Sequence, residues 1–270
     1  MNFPRILKKR KGYIDRIKPF MQKSVAKVLT GQRRVGKSFL LYQLIEEILA
    51  EEPDANIIYV NLEDFTFSSL QTAEDLHSYI ISHSKEKVKN YIFIDEIQDI
   101  PGFEKVIRSL LLNEDNDIYI TGSNAKMLSG ELATYLSGRY IEFKIYSLSY
   151  SEFLEFHGLT ESETSYELYS RYGGLPYLLN LPLEDETVNE YLKSVYSTIV
   201  FRDVVSRYKL RNTLFLEKLI QFLSENIGNL FSAKNISDYL KSQHTAISVN
   251  QIQSLSLIHI SEPTRLDVIS

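Results

Sequence analysis

The sequence predicts an α/β protein with a parallel-sheet core followed by helical modules, and three observations carry that prediction. Val25 to Ile45 reads as a short apolar strand, a glycine loop and a helix in direct succession. Tyr91 to Ile100 is an apolar run that delivers two adjacent acids, Asp95 and Glu96, at its end. Strand and helix patterns alternate as far as Tyr140 to Ile145, after which the pattern is helical.

The 270 residues suffice for one large domain or two modest ones. The absence of cysteine excludes disulfides and thiolate metal sites. No apolar run is long enough to span a bilayer, so no membrane role is expected. The amino-terminal residues have no signal-peptide pattern, which makes the cytoplasm the expected location. Net charge is −5, yet the chain up to Lys37 holds twelve Lys or Arg and a single acid, Asp15. The basic run Lys8 to Lys11 fits contact with a polyanion, but a solvated arm packed beside the glycine loop is the favoured reading.

The lead-in from Arg5 to Gln22 has weak helical character around Tyr13 to Ile17 and ends near Pro19. The strand Val25 to Leu29 opens into GQRRVGKS, where Gly31, Gly36, Lys37 and Ser38 satisfy G-x-x-x-x-G-K-[ST], the P-loop pattern. Such a loop curls backbone N–H groups around phosphate oxygens and needs glycine where a Cβ would intrude. Gly31, Gln32, Arg33, Arg34, Val35, Gly36, Lys37, Ser38 and Phe39 are therefore the expected nucleotide contacts. The helix that follows points its positive end at the same phosphates. Lys37 adds a mobile charge for the β and γ phosphates, and the Ser38 hydroxyl is a ligand for Mg²⁺.

Ile57 to Leu62 is the second strand, and the Glu63 and Asp64 that follow either face the phosphates or begin a turn. Leu70 to Lys87 reads as a helix. The strand at Tyr91 then has the Walker B pattern, in which Asp95 holds Mg²⁺ and Glu96 orients and polarises the attacking water. Phe103 to Leu112 is helical, and Asp117 to Thr121 is a strand leading to Gly122, Ser123 and Asn124. Ser123 or Asn124 is a candidate γ-phosphate sensor, although Gly-Ser-Asn is also ideal turn composition. Arg139, before the strand Tyr140 to Ile145, is a candidate for contacting phosphate in its own subunit or, in a homo-oligomer, a neighbouring one. With no guanine-reading Asn-Lys-x-Asp motif present, ATP is the expected nucleotide.

GQRRVGKS, YIFIDEIQDI, ITGSNAKMLSGELATYLSGRY, SLSYSEFLEF and YGGLPYLL together resemble a large prokaryotic family of AAA-type ATP-binding proteins with an uncharacterised C-terminal domain. That family is similar to STAND and archaeal-type ATPases of the additional-strand P-loop class. The resemblance covers about Arg5 to Ser254. It implies a parallel sheet in which the Walker B and sensor strands flank the P-loop strand, and a helical lid from about Tyr146. It also implies that Gly173, Gly174 and Pro176 form a lid motif whose proline approaches the nucleotide, although the residues alone give only a turn between helices.

Glu190 to Lys209 reads as a helix, followed by helices at Leu214 to Asn226, Ala233 to Lys241 and from Ser248 onward. The last three have winged-helix or helix-turn-helix spacing. Lys234, Lys241 and His244 are the only basic groups near the turn, so this module suits protein and DNA partners equally. The expected segments are a basic lead-in over 1–22, a P-loop core over 23–145, a lid over 146–210 and a truncated winged-helix-like module over 211–254. Residues 255–270 stand apart, because Leu255 to Arg265 is, residue for residue, what a common sequencing-library transposon adapter encodes. In the resembled family the missing part would complete the winged helix and add a nuclease-like domain.

The function expected is Mg²⁺-dependent ATP binding and hydrolysis coupled to movement of the C-terminal helices. The competing expectation is a slow nucleotide switch that recruits DNA or protein with little turnover.

Overall fold

The structure is a computed structural model, and it describes residues 8–122, 136, 138–199, 213–226, 228–229 and 232–243. The sensor candidates Ser123 and Asn124, the helix expected from Ser248 and the adapter-like tail lie outside the described residues.

The lead-in is helix α1 (Lys11–Ile17) and a 3-10 turn (Lys18–Phe20) begun by Pro19, as its weak helical pattern foretold. Strand β1 (Ala26–Thr30), helix α2 (Lys37–Glu51), strand β2 (Asn56–Asn61), helix α3 (Ala73–His83) and strand β3 (Asn90–Asp95) follow. Helix α4 (Phe103–Leu110), strand β4 (Asn116–Gly122) and strand β5 (Tyr140–Lys144) complete the described core. Helix α3 is shorter than its apolar periodicity implied. Thr72 and Asp75 form a reciprocal capping box that fixes its start, and the chain is extended again at Ser84.

All the strand pairings are parallel, in the order β2-β3-β4-β1-β5. This corrects the expected arrangement around the P-loop strand. Strand β1 lies between β4 and β5, and the strand carrying Asp95 and Glu96 is one place further away. The chain leaves β1 through α2 to the far edge at β2 and returns through β3 and β4, so the last strand of that return is the one that meets β1. Strand β4 does lie beside β3, as expected, with Phe93 opposite Tyr119 and Ile94 opposite Ile120.

Helices cover both faces of the sheet, which is why the central strands read as near-continuous apolar runs. Alternate residues build two cores. Ala26, Val28, Ile92, Ile94, Ile118 and Ile120 pack with α3 and α4 on one face. Leu29, Tyr91, Phe93, Tyr119 and Phe143 pack with α1 and α2 on the other.

After β5 come helices α5 (Tyr150–His157) and α6 (Glu163–Tyr172), a 3-10 turn (Pro176–Asn180) and helix α7 (Asp185–Thr198). The chain divides into two compact units, 1–189 and 190–270. In the second, helices α8 (Thr213–Glu225) and α9 (Ala233–Ser242) close over Leu219, Phe222, Ile236 and Leu240. Among the described residues no helix is long and apolar enough to cross a membrane.

Candidate functional site

The loop from Gly31 to Gly36 leaves the carboxyl end of β1 and runs straight into α2, whose first residue is Lys37. Gly31 is at φ +150°, and a Cβ there would collide with the Ile145 carbonyl. Gly36 caps α2 at φ +95°, so both glycines occupy backbone that a side chain would strain. Arg34 takes a left-handed φ of +66° without being glycine, a local cost that such a loop must absorb.

The Lys37 ammonium lies inside this loop, donating to the carbonyls of Gly31 and Gln32 at 3.1 Å each. Its nearest carboxylate is Glu96 Oε1 at 3.7 Å. Burial holds the Lys37 pKa below that of an ordinary lysine, against the opposite pull of Glu96 and Asp95. Asp95 ends β3 almost wholly buried, with hydrogen bonds from Ser38 and from the Thr121 hydroxyl. Burial raises its pKa, the hydrogen bonds from Ser38 and Thr121 oppose the rise, and the neighbouring Glu96 adds to it. The Tyr59 hydroxyl stands 3.5 Å from Asp95 and 3.1 Å from the Tyr42 hydroxyl, and burial raises its pKa well above the ordinary tyrosine value.

Glu96 adopts a left-handed backbone, φ +56°, immediately after the strand. Its N–H donates to Thr121 Oγ1 at 3.0 Å, and its Oε2 accepts from Gln98 Nε2 at 2.5 Å. Strand β4 thus inserts one hydroxyl, Thr121, that holds both the Asp95 carboxylate and the Glu96 backbone. A serine hydroxyl hydrogen-bonded to a carboxylate is a hard oxygen pair, the donor chemistry that suits Mg²⁺ with water completing its shell. Among the described residues no group of three or more His, Cys, Asp or Glu is placed to hold a metal.

The other expected residues fall unevenly. Arg33 pairs with Glu63 at 3.2 Å, so Glu63 does face the loop. Asp64 instead caps the 3-10 turn (Phe65–Phe67), accepting from Thr66 N–H. Val35 is buried, whereas Phe39 points outward and meets Tyr42 edge-on at 6.0 Å. The Pro176 ring lies 3.7 Å from where a Gly36 Cβ would stand, so Gly-Gly-Leu-Pro does bring its proline to the loop. Gly174 is pressed against Leu148, whose N–H donates to the Gly174 carbonyl at 2.7 Å.

Arg139 is at the wrong end of the sheet to serve its own loop. Its carbonyl accepts from Ala26 N–H at the amino end of β1, while the loop departs after Thr30. Four residue steps along the strand separate those ends by about 13 Å. The basic run packs on the protein: Lys9 pairs with Glu47 at 2.6 Å and the Lys8 ammonium donates to the Phe156 carbonyl, while Arg10 is buried rather than solvated.

Three residues with evident roles in this arrangement escaped the sequence reading. Thr121 lay one residue before the expected sensor turn, and strand adjacency alone could have singled it out. Gln98 was hidden in a turn. Arg10 sat in a run of four basic residues that gave no hint of burial, yet it is 4% exposed.

A family model described as an AAA domain matches residues 23–154. A second, a domain of unknown function (DUF8612), matches residues 163–265. That second match runs over Leu255 to Arg265, the stretch expected to be adapter-derived. An uncharacterized protein of Haemophilus influenzae is 37% identical over 255 residues, covering 90% of this chain and 62% of its own length. An uncharacterized protein of Methanocaldococcus jannaschii is 32% identical over 235 residues, covering 82% of this chain and 51% of its own. The chain therefore spans roughly half to three-fifths of these relatives. Among solved structures, the Aeropyrum pernix ORC1 protein in complex with DNA superposes at a TM-score of 0.45 and 15% identity, over 93% of this chain and 83% of that one. Replication initiator DnaA bound to AMPPCP and single-stranded DNA gives a TM-score of 0.45 at 14% identity, over 92% and 88% of the two chains.

Proposed function

With residues 23–154 matching an AAA domain, we propose that this chain is an Mg²⁺-dependent ATPase, converting ATP and water to ADP and phosphate. The observation that carries the proposal is the convergence at one end of the sheet of the Gly31–Ser38 loop, the Ser38–Asp95 hydrogen bond and Glu96, 3.7 Å from Lys37. In this reading the loop N–H groups and Lys37 hold the phosphates, and Ser38 and Asp95 hold Mg²⁺, which supplies charge neutralisation between the phosphates. Glu96 takes the proton of the attacking water. Ser123 or Asn124 senses the γ phosphate, and Pro176 carries the loop's state to the helices after β5.

Arg139, exposed and remote from its own loop, acts in this proposal on a neighbouring subunit of a homo-oligomer. Turnover drives movement of the C-terminal helices, which recruit a DNA or protein partner in the cytoplasm. A second reading rests on Gln98, whose 2.5 Å hydrogen bond engages the Glu96 carboxylate. A base so occupied suits a slow nucleotide switch.

Turnover and nucleotide affinity measured on the same variants decide between the roles. Lys37→Ala should lose MgATP affinity, because the loop loses its inward charge. Glu96→Gln should keep affinity while turnover falls roughly 10²-fold or more. Equal loss of affinity in both would overturn the assignment, and faster turnover in Gln98→Ala would favour the switch.

A further inference from the structure

Arg10 places all five of its guanidinium N–H donors, and each has a distinct acceptor. Nε and Nη2 grip the Glu152 carboxylate at 2.7 and 2.8 Å, a fork on a fork. Nη1 reaches the Val35 carbonyl at 3.2 Å and the Tyr146 carbonyl at 2.9 Å, and Nη2 also reaches the Ser147 carbonyl at 3.3 Å. Its backbone is fixed as well, with Arg10 N–H donating to Gln43 Oε1 of α2 at 3.0 Å.

These partners belong to three parts of the first compact unit. Val35 lies in the phosphate loop, one residue before the glycine that caps α2. Tyr146 and Ser147 belong to the segment between β5 and α5. Glu152 closes the capping box that starts α5, its Oε2 accepting from Ser149 N–H at 2.9 Å. The same segment touches the loop elsewhere, because Ile145 N–H donates to the Thr30 carbonyl at 2.7 Å and the Ile145 carbonyl blocks a Cβ at Gly31. Leu148 then meets Gly174, and Pro176 returns to Gly36.

We propose that Arg10 is a positioning residue that fixes the phosphate loop to the start of helix α5, so that the seating of Glu152 sets the loop's geometry. A buried cation is costly unless every donor is met, and here the five acceptors are met only if the loop, the 145–148 segment and α5 are all in place. Lysine, with three donors on a flexible stem, cannot span them. The inference deepens the nucleotide-binding proposal and rests on it for its functional consequence, while the mechanical link is testable without nucleotide.

The test pairs amide exchange with nucleotide binding in the full chain. Glu152→Gln keeps the shape and a capping oxygen but removes the charge that Arg10 grips. Without nucleotide, it should speed exchange of the 31–38 amides about tenfold, the scale of one charge-assisted hydrogen bond, while β1 and β3 stay protected. A change confined to 149–157 would overturn the proposal. For MgATP, Glu152→Gln and Arg10→Lys should each weaken binding about tenfold, and the double variant should be no worse than the weaker single one, since both cut the same link. Additive losses, or wild-type affinity in a folded Glu152→Gln protein, would also overturn it. Should Arg10→Lys fail to fold, the Glu152→Gln arms decide alone. A wild-type protein that ignores MgATP would sink the nucleotide reading, with the exchange arm still judging the link.

Discussion

At the amino end of the sheet Lys27 of β1 and Asp117 of β4 form an ion pair with no solvent exposure at either residue. At the carboxyl end Lys37, Asp95 and Glu96 are nearly as buried, but the closest approach of Lys37 to a carboxylate is 3.7 Å. The Lys27 ammonium also donates to the carbonyls of Val25 and Lys23, at 2.9 and 3.4 Å. Asp117 also accepts from Tyr119 Oη–H at 2.8 Å and from Gln22 N–H at 2.7 Å. The amino-end pair is in direct contact and closes on its own neighbours; at the carboxyl end the Lys37–Glu96 pair is looser, at 3.7 Å, and the lysine donates to the loop carbonyls of Gly31 and Gln32 instead. Burial depresses the pKa of both lysines, so a shifted lysine by itself does not distinguish a site from a staple. The difference lies in how closely the opposite charges approach.

The harshest way to break that comparison is Asp117→Ala. It strands the Lys27 charge in the core, where loss of one partner of a buried pair costs about 3–5 kcal/mol. Urea denaturation should register the loss, and the protein that remains folded should bind MgATP as before. If nucleotide affinity fell while stability held, the amino-end pair would belong to the site and the distinction would fail.

What the sequence disclosed about these two ends follows from how local each signal is. The strand–glycine loop–helix turn was legible because its constraints run between near neighbours: Gly31, Gly36, Lys37 and Ser38 succeed one another within it. The β3 acids were legible for the same reason. Lys27 was not, since a lysine inside an apolar strand has no visible partner until β4 is laid beside β1. Thr121 and Arg10 were hidden likewise, for their partners are 26 and 142 residues away in sequence. The placement of β3 one strand away from β1 depends on crossover order, which residue patterning does not encode. Helix bounds erred where periodicity outran the caps, as at Thr72 and Ser84.

A smaller change sharpens the comparison at the carboxyl end. Thr121→Val keeps the shape of a wholly buried side chain but removes the hydroxyl that donates to Asp95 and accepts from Glu96 N–H. Leaving such groups unmet costs about 1–3 kcal/mol. Unlike the amino-end variant, it should also lower turnover and raise the Mg²⁺ concentration needed for half-maximal rate. Stability loss with an unchanged Mg²⁺ requirement would make Thr121 a structural hydroxyl only.

The smallest expected effect has the most telling sign. Burial raises the Asp95 pKa above its unfolded value despite hydrogen bonds from Ser38 and Thr121. A carboxyl raised in this way favours the folded state while it is protonated. Its contribution is complete below the unfolded value, about 3.9, and is lost as pH climbs through the higher folded one. At neutral pH the ionised group therefore works against folding. Asp95→Asn removes that charge and keeps an oxygen for both hydroxyls, so it should raise the melting midpoint at pH 7 by about 2–4 °C, the shift that roughly 1 kcal/mol gives in a chain of this size. The gain should narrow as the pH is lowered toward 4, because the wild-type carboxyl then becomes neutral too. MgATP turnover should disappear in the same variant, the trade expected where a site keeps a buried charge for its ligand. A variant less stable than wild type at pH 7 would mean that Asp95 is held as completely as Asp117, and the two ends of the sheet would no longer differ in kind.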